Sequence, residues 1–191
     1  MALKNTHQSY GWVSRLLHWV MAVAFISMYG VGSYMVDLTY YDPLYHTLPD
    51  WHKSVGIVLV GLFMVRLIWT YSQPRPQPVT SPAPAYTHTL AKLGHLALYG
   101  LLAVIFSSGY LISTAEGHGI WVFDWVEIPA ILAESKARGE LAGDVHEIVA
   151  GVFMVLVGIH AVAALVHHFY WKDATLTRML GKAPSNHPHE Q

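Results

Sequence analysis

Four stretches of this chain are each long and apolar enough to cross a bilayer, and that constrains it more than any other feature. A hydrocarbon core of about 30 Å takes about 20 helical residues to span. Such runs extend from about Arg15 to Val36, Trp51 to Tyr71, Leu90 to Ser113 and Val145 to Trp171. Backbone amides in hydrocarbon must be satisfied within the segment, so each run reads as a helix. The expected fold is an all-α membrane protein, an antiparallel four-helix transmembrane bundle in one domain over residues 1–180, with a flexible cytoplasmic tail at 181–191. The first run starts too late and is too long for a cleavable signal peptide.

Between the second and third spans, Pro74, Pro76, Pro78, Pro82 and Pro84 forbid helix and read as a stiff extended connector. The connector from Thr114 to Asp144 is the longest and carries Trp121, Phe123 and Trp125, so part of it is expected to fold back on the membrane surface. Basic residues resist translocation and set orientation. Lys4, Arg15, Arg66, Arg75, Lys92, Lys172, Arg178 and Lys182 fall on one side, and Lys53, Lys136 and Arg138 on the other. Both termini are therefore expected in the cytoplasm. The opposite side collects ten of the twelve acids. A net charge of −1 leaves no basic stripe for phosphates, so nucleic acid is not an expected partner. With no cysteine, disulfides, thiolate metal sites and covalent haem attachment are excluded.

Thirteen histidines remain to be explained. An imidazole inside a span is a functional candidate with a partner to be named. His18 begins the first span on the cytoplasmic side, while His52 begins the second and His146 the fourth on the outer side. His160 follows His146 by fourteen residues, which is about 21 Å along one helix and close to four turns, so both share a face. By depth, His52 pairs with His146 and His18 with His160. Iron in a porphyrin offers two axial positions that neutral imidazoles fill without adding charge, so two haem b groups explain the two pairs. Gly56, Gly61, Gly151 and Gly158 would admit a flat macrocycle, or serve ordinary helix packing. Zinc or copper would want three or four converging ligands. A histidine-lined transporter lacks the helix interruptions it usually needs, and a haem-free metal-binding or structural subunit is the reading from a different class.

Several segments together resemble the bacterial four-helix cytochrome b561 family: Arg15-Leu-Leu-His18-Trp19, His52-Lys53-Ser54-Val55-Gly56-Ile57 with Val65-Arg66-Leu67, Leu93-Gly94-His95-Leu96, His146-Glu147, Ile159-His160-Ala161, and His167-His168-Phe169-Tyr170-Trp171-Lys172-Asp173. The resemblance covers all four spans. It implies a di-haem protein of the bacterial inner membrane that exchanges electrons with ubiquinone, and superoxide oxidation is the family's best-described activity. Carried over by motif, His18, His52, His146 and His160 match the axial ligands, and His95 and His167 match histidines of the haem or quinone surroundings. His167 either donates to a quinone oxygen or contacts a haem propionate or headgroup. Arg15, Arg66, Lys92 and Lys172 either pair propionates or snorkel to headgroups.

An outer field of ten acids against three bases would repel superoxide. Lys53 beside His52, with Lys136 and Arg138, is the candidate for a local positive funnel. The same acidic side suits a basic periplasmic redox protein, which gives a second electron-transfer reading.

Overall fold

A computed structural model of the chain describes residues 2–181, so the expected tail, with Lys182, His187 and His189, lies outside the described residues apart from Gly181. The elements run α1 (Trp12–Met35), α2 (Thr47–Ser72), α3 (Tyr86–Ser113), β1 (Ile120–Val122), β2 (Val126–Ile128), α4 (Lys136–Phe169) and α5 (Thr175–Leu180). The four long helices are apolar enough to span a membrane, and the protein is a four-helix membrane bundle. Their outward side chains are those a soluble protein would hide: Val23, Ile68, Leu96 and Val155 are each more than 60% exposed. A continuous apolar exterior of this kind needs hydrocarbon as its solvent.

Polar groups within the spans look after themselves. On α3 the hydroxyls of Ser107, Ser108, Ser113 and Thr114 donate to the carbonyls of Ala103, Val104, Gly109 and Tyr110, four residues back. Such back-bonding satisfies a hydroxyl that lipid cannot.

The helices contact in a ring, α1 on α2, α2 on α3, α3 on α4 and α4 on α1, with the α3–α4 contact the most extensive. The interior is sealed at mid-height by buried Met21, Phe63, Leu102 and Phe153. Phe25, Phe63, Phe106 and Phe153 meet edge-on or tilted, with centroids 5.5 to 6.1 Å apart. Phe153 lies seven residues from both His146 and His160, so this aromatic layer separates the two histidine levels.

Two elements depart from the hydropathy reading. Helix α4 starts nine residues before the apolar run, where the Ser135 side chain caps it by accepting from Arg138 N–H at 3.3 Å. Its first turns are charged, with Lys136 and Glu140 paired at 3.7 Å, so a hydropathy window does not register them. The long connector holds an antiparallel hairpin, Val122 opposite Val126, whose turn sets Phe123 and Asp124 at φ of 49° and 60°. Non-glycine residues there cost energy; the hairpin holds them by packing on α2, where Ser54 Oγ accepts from Phe123 N–H at 3.0 Å and Trp51 stacks edge-on to Phe123.

We call this the hairpin end. At the other, the arm end, the N-terminal segment, the proline-rich connector and α5 are tied together. Gln77 N–H donates to His7 O at 2.8 Å, Arg178 Nη1 to Gln77 O at 2.7 Å, and Trp19 Nε1 to Met179 O at 3.0 Å.

Candidate functional site

Histidines from different helices meet at two levels. Near the hairpin end, the rings of His52 on α2 and His146 on α4 have centroids 6.3 Å apart. Nearer the arm end, His18 on α1 and His160 on α4 are also 6.3 Å apart. Two imidazoles on opposite faces of one metal, each with a metal–nitrogen bond of about 2 Å, place their centroids about 6 Å apart. Both pairs have that span. His95 on α3 also approaches His160, but at 5.2 Å and an 80° interplanar angle. That is a ring contact, too close for the two opposite positions of one metal. Its Nδ1–H instead donates to Ala91 O at 2.6 Å. Among the described residues no group of three His, Asp or Glu side chains forms a metal site.

The hairpin-end pair is cradled by the two other helices. A Cβ on Gly32 of α1 would meet His52 Cε1 at 3.3 Å, and one on Gly109 of α3 would meet His146 Cε1 at 3.2 Å. His146 Nδ1 lies 3.0 Å from Ile105 O and 3.1 Å from Ser108 Oγ. The carbonyl can only accept, so Nδ1 carries the proton and Nε2 presents its lone pair, as a metal-ligating histidine does. His52 Nδ1 is buried without a hydrogen-bond partner, an uncompensated polar atom of the kind that accompanies function.

The arm-end pair is set differently. Arg66 Nη2 donates to His18 Nδ1 at 3.2 Å. Arginine has no acceptor, so His18 holds its proton on Nε2 here. Ligation through Nε2 requires that proton to move to Nδ1 and this hydrogen bond to be given up. The donor set still fits: two imidazoles face each other at the same separation as the hairpin-end pair.

The remaining candidates fall outside the pairs. Arg15 lies against Gly181 at the C-cap of α5. Lys53 is held by Asp50 at 2.7 Å, Lys136 by Glu140 at 3.7 Å, and Arg138 Nη2 turns back to Ala133 O at 2.6 Å. The three bases expected to make a positive funnel are thus engaged locally, because each has an acid or a carbonyl within a helical turn or two. At Gly56, Gly61, Gly151 and Gly158 an added Cβ would meet nothing within 4 Å, so close helix packing is not what these glycines serve.

His167 belongs to a cluster that the sequence shows only in part. Its Nδ1 donates to Asp173 Oδ2 at 2.6 Å, Ser81 Oγ donates to the same oxygen at 2.6 Å, and Thr175 N–H donates to Oδ1 at 2.9 Å. Burial by itself would raise the Asp173 carboxyl, but the hydrogen bonds from His167, Ser81 and Thr175 outweigh it and hold the group at about 2, against 3.8 for an ordinary aspartate. A depressed carboxyl stabilises the fold in full above its unfolded value and loses that contribution as pH falls through the folded value. The pair of values corresponds to about 2 kcal/mol. Asp173→Asn is therefore expected to loosen the arm-end ties at neutral pH, with faster hydrogen exchange in residues 81–83 and 175–181. The unmodified protein should show the same change as pH drops from about 4 to about 2.

Comparison with known proteins agrees with this architecture. The family model for prokaryotic cytochrome b561 matches residues 9–182. Cytochrome b561 homolog 2 of Escherichia coli (strain K12) is 45% identical over 187 residues, covering 98% of this chain and 99% of that protein. A probable superoxide oxidase, CybB, of Yersinia pestis is 28% identical over 184 residues, covering 92% and 98%. Cytochrome b561 homolog 1 of Escherichia coli (strain K12) is 26% identical over 164 residues, covering 86% and 92%. The family is one of membrane electron-transfer proteins that carry b-type haem, which disfavours the haem-free reading. With its four spanning helices and facing histidines, the chain belongs to the prokaryotic cytochrome b561 family.

Proposed function

We propose that His52 with His146, and His18 with His160, each hold one haem b, and that the chain passes electrons from a donor at the hairpin end to ubiquinone at the arm end. The observation that carries this reading is the repetition of one ring separation, 6.3 Å, at two depths of α4. Bound haem supplies one-electron redox chemistry at each level. The protein supplies the rest. Ile105 O and Ser108 Oγ fix the tautomer of His146. The phenylalanine layer keeps water and protons from crossing between the levels. Lipid surrounds the outward face, in a bacterial inner membrane with the arm end cytoplasmic, as the distribution of basic residues supports.

The donor we favour is superoxide, the substrate named for the Yersinia relative. Superoxide becomes dioxygen by losing one electron, with no bond to break and no protein base needed. Ubiquinone takes two electrons and two protons to become the quinol, so two superoxide ions are consumed for each. At the arm end His167, whose Nδ1–H is held by ionised Asp173, offers Nε2 to take up a proton and pass it to a quinone oxygen.

A specific observation favours a second donor. The hairpin end carries ten acids against three bases, two of which are already ion-paired, and such an acidic face suits a basic redox protein. Stopped-flow mixing of the oxidised, haem-loaded protein with superoxide separates the two. The expected result is reduction of the haem bands within the mixing experiment, reversed when ubiquinone is supplied. Added salt should speed the reaction by relieving repulsion. Bands that stay oxidised under excess superoxide would remove the superoxide reading, and salt-weakened reduction by a small basic cytochrome would put the second in its place.

A further inference from the structure

The two histidine levels sit in different electrostatic surroundings. At the arm-end level the Arg66 guanidinium lies 3.2 Å from His18 Nδ1 and acts electrostatically on His160 as well. In the arm-end halves of α1 to α4 the sequence places no Asp or Glu; beyond them the one described acid at that end, Asp173, is bound by His167, Ser81 and Thr175. At the hairpin-end level the groups bonded to His146 are neutral, a carbonyl and a hydroxyl. The nearest lysine in sequence, Lys53, is neutralised by Asp50 at 2.7 Å, and the same end of α4 carries Glu140, Asp144 and Glu147 against Arg138 and Lys136, the last paired with Glu140 at 3.7 Å.

An arriving electron adds one negative charge to whichever level receives it. We propose that Arg66 makes the arm-end level the preferred seat of that electron, so that transfer from the hairpin end to the arm end runs downhill. The inference rests on the two-haem reading above and adds to it the charge that makes its direction favourable. The hydrogen bond to His18 need not survive ligation for this to hold. Coulomb attraction falls only as the inverse of distance, is weakly screened inside a bundle, and needs just the charge that α2 keeps beside the pair. In the step itself one electron leaves the hairpin-end site, which is oxidised, and reduces the arm-end site. No bond forms or breaks, and no proton has to cross the phenylalanine layer.

The test is potentiometry of the full, haem-loaded chain, followed by its absorption bands. First, His52→Ala, which keeps the arm-end haem, is expected to be reduced at higher potential than His18→Ala, which keeps the other. Second, Arg66→Gln is expected to make reduction of the arm-end haem at least tenfold less favourable, a fall of about 59 mV for one electron, with the other haem little changed; Arg66→Lys should retain most of the wild-type value. The proposal is overturned if the two single-haem variants titrate in the reverse order, or if Arg66→Gln loads both haems with their separation unchanged. Should Arg66→Gln not load the arm-end haem, the order of the single-haem variants decides. Failure of the two-haem reading is distinct from either result: wild-type protein would then bind one haem or none.

Discussion

Replacing His160 with alanine is expected to cost the protein its arm-end haem and leave the hairpin-end haem in place, while His146→Ala does the reverse. Each imidazole is one of two facing rings on separate helices, and among the described residues no group of three His, Asp or Glu side chains stands together to hold a metal. Loss of supporting groups around a metal ligand already weakens binding by about 10–100-fold, and loss of the ligand itself should exceed that. Haem content per chain, read from reduced-minus-oxidised spectra, should fall by half in each variant and to nothing when both are replaced. His95→Ala supplies the control. Its ring is 5.2 Å from His160, against 6.3 Å for His18, so its removal should leave both haems bound. If His95→Ala loses the arm-end haem while His18→Ala keeps it, the assignment of the pair is wrong.

The second large effect is expected at a residue that carries no chemistry. Gly109→Val should eliminate the hairpin-end haem and spare the other. A Cβ at this position would already stand 3.2 Å from His146 Cε1 and 3.5 Å from Nδ1, and valine adds two methyl groups in the same direction. The ring cannot turn aside without breaking its bonds to Ile105 O and Ser108 Oγ. Overpacking costs about 1–3 kcal/mol, and each hydrogen bond given up about 0.5–1.5 kcal/mol more. Helix propensity works in the opposite direction, since glycine is the worse helix former, so haem loss would not reflect a weakened α3. Gly32→Val should act likewise through His52, whose Cε1 lies 3.3 Å from the added Cβ. Gly100→Ala, where a Cβ meets nothing within 4 Å, should be silent. A Gly109→Val protein with full haem content would show that the cradle does not govern the seating of His146.

Much of the candidate site is legible in the sequence because it depends on local regularities. Span length follows from bilayer thickness, and a fourteen-residue spacing returns close to the same helical face whatever the neighbours do. That is why His146 and His160 stand out on α4 before any packing is known. The glycines show where such reasoning stops. Gly56, Gly61, Gly151 and Gly158 read as room for a flat macrocycle or for helix packing, and the space beside them is open; Gly32 and Gly109 carry no such signal, yet their missing side chains make room for histidine rings. A glycine's neighbour across the bundle is not written in its own helix. Ser108 was equally silent: a serine in an apolar span reads as a self-satisfied hydroxyl, which it is, and nothing nearby in the sequence announces that it also reaches His146.

The sequence by itself determined that this chain crosses a membrane four times, that imidazoles recur at two depths, and which family it resembles; each of these is a sum of hydrophobic length, helical period and short motifs. Only the tertiary structure decided that His160 faces His18 across 6.3 Å and merely touches His95, that Arg66 reaches His18, that Asp173 joins His167 to Ser81, and that the long connector closes as a hairpin on α2. These depend on the rotation and crossing of helices packed against one another. That geometry is set by all four apolar faces together, so no single window of the chain contains it.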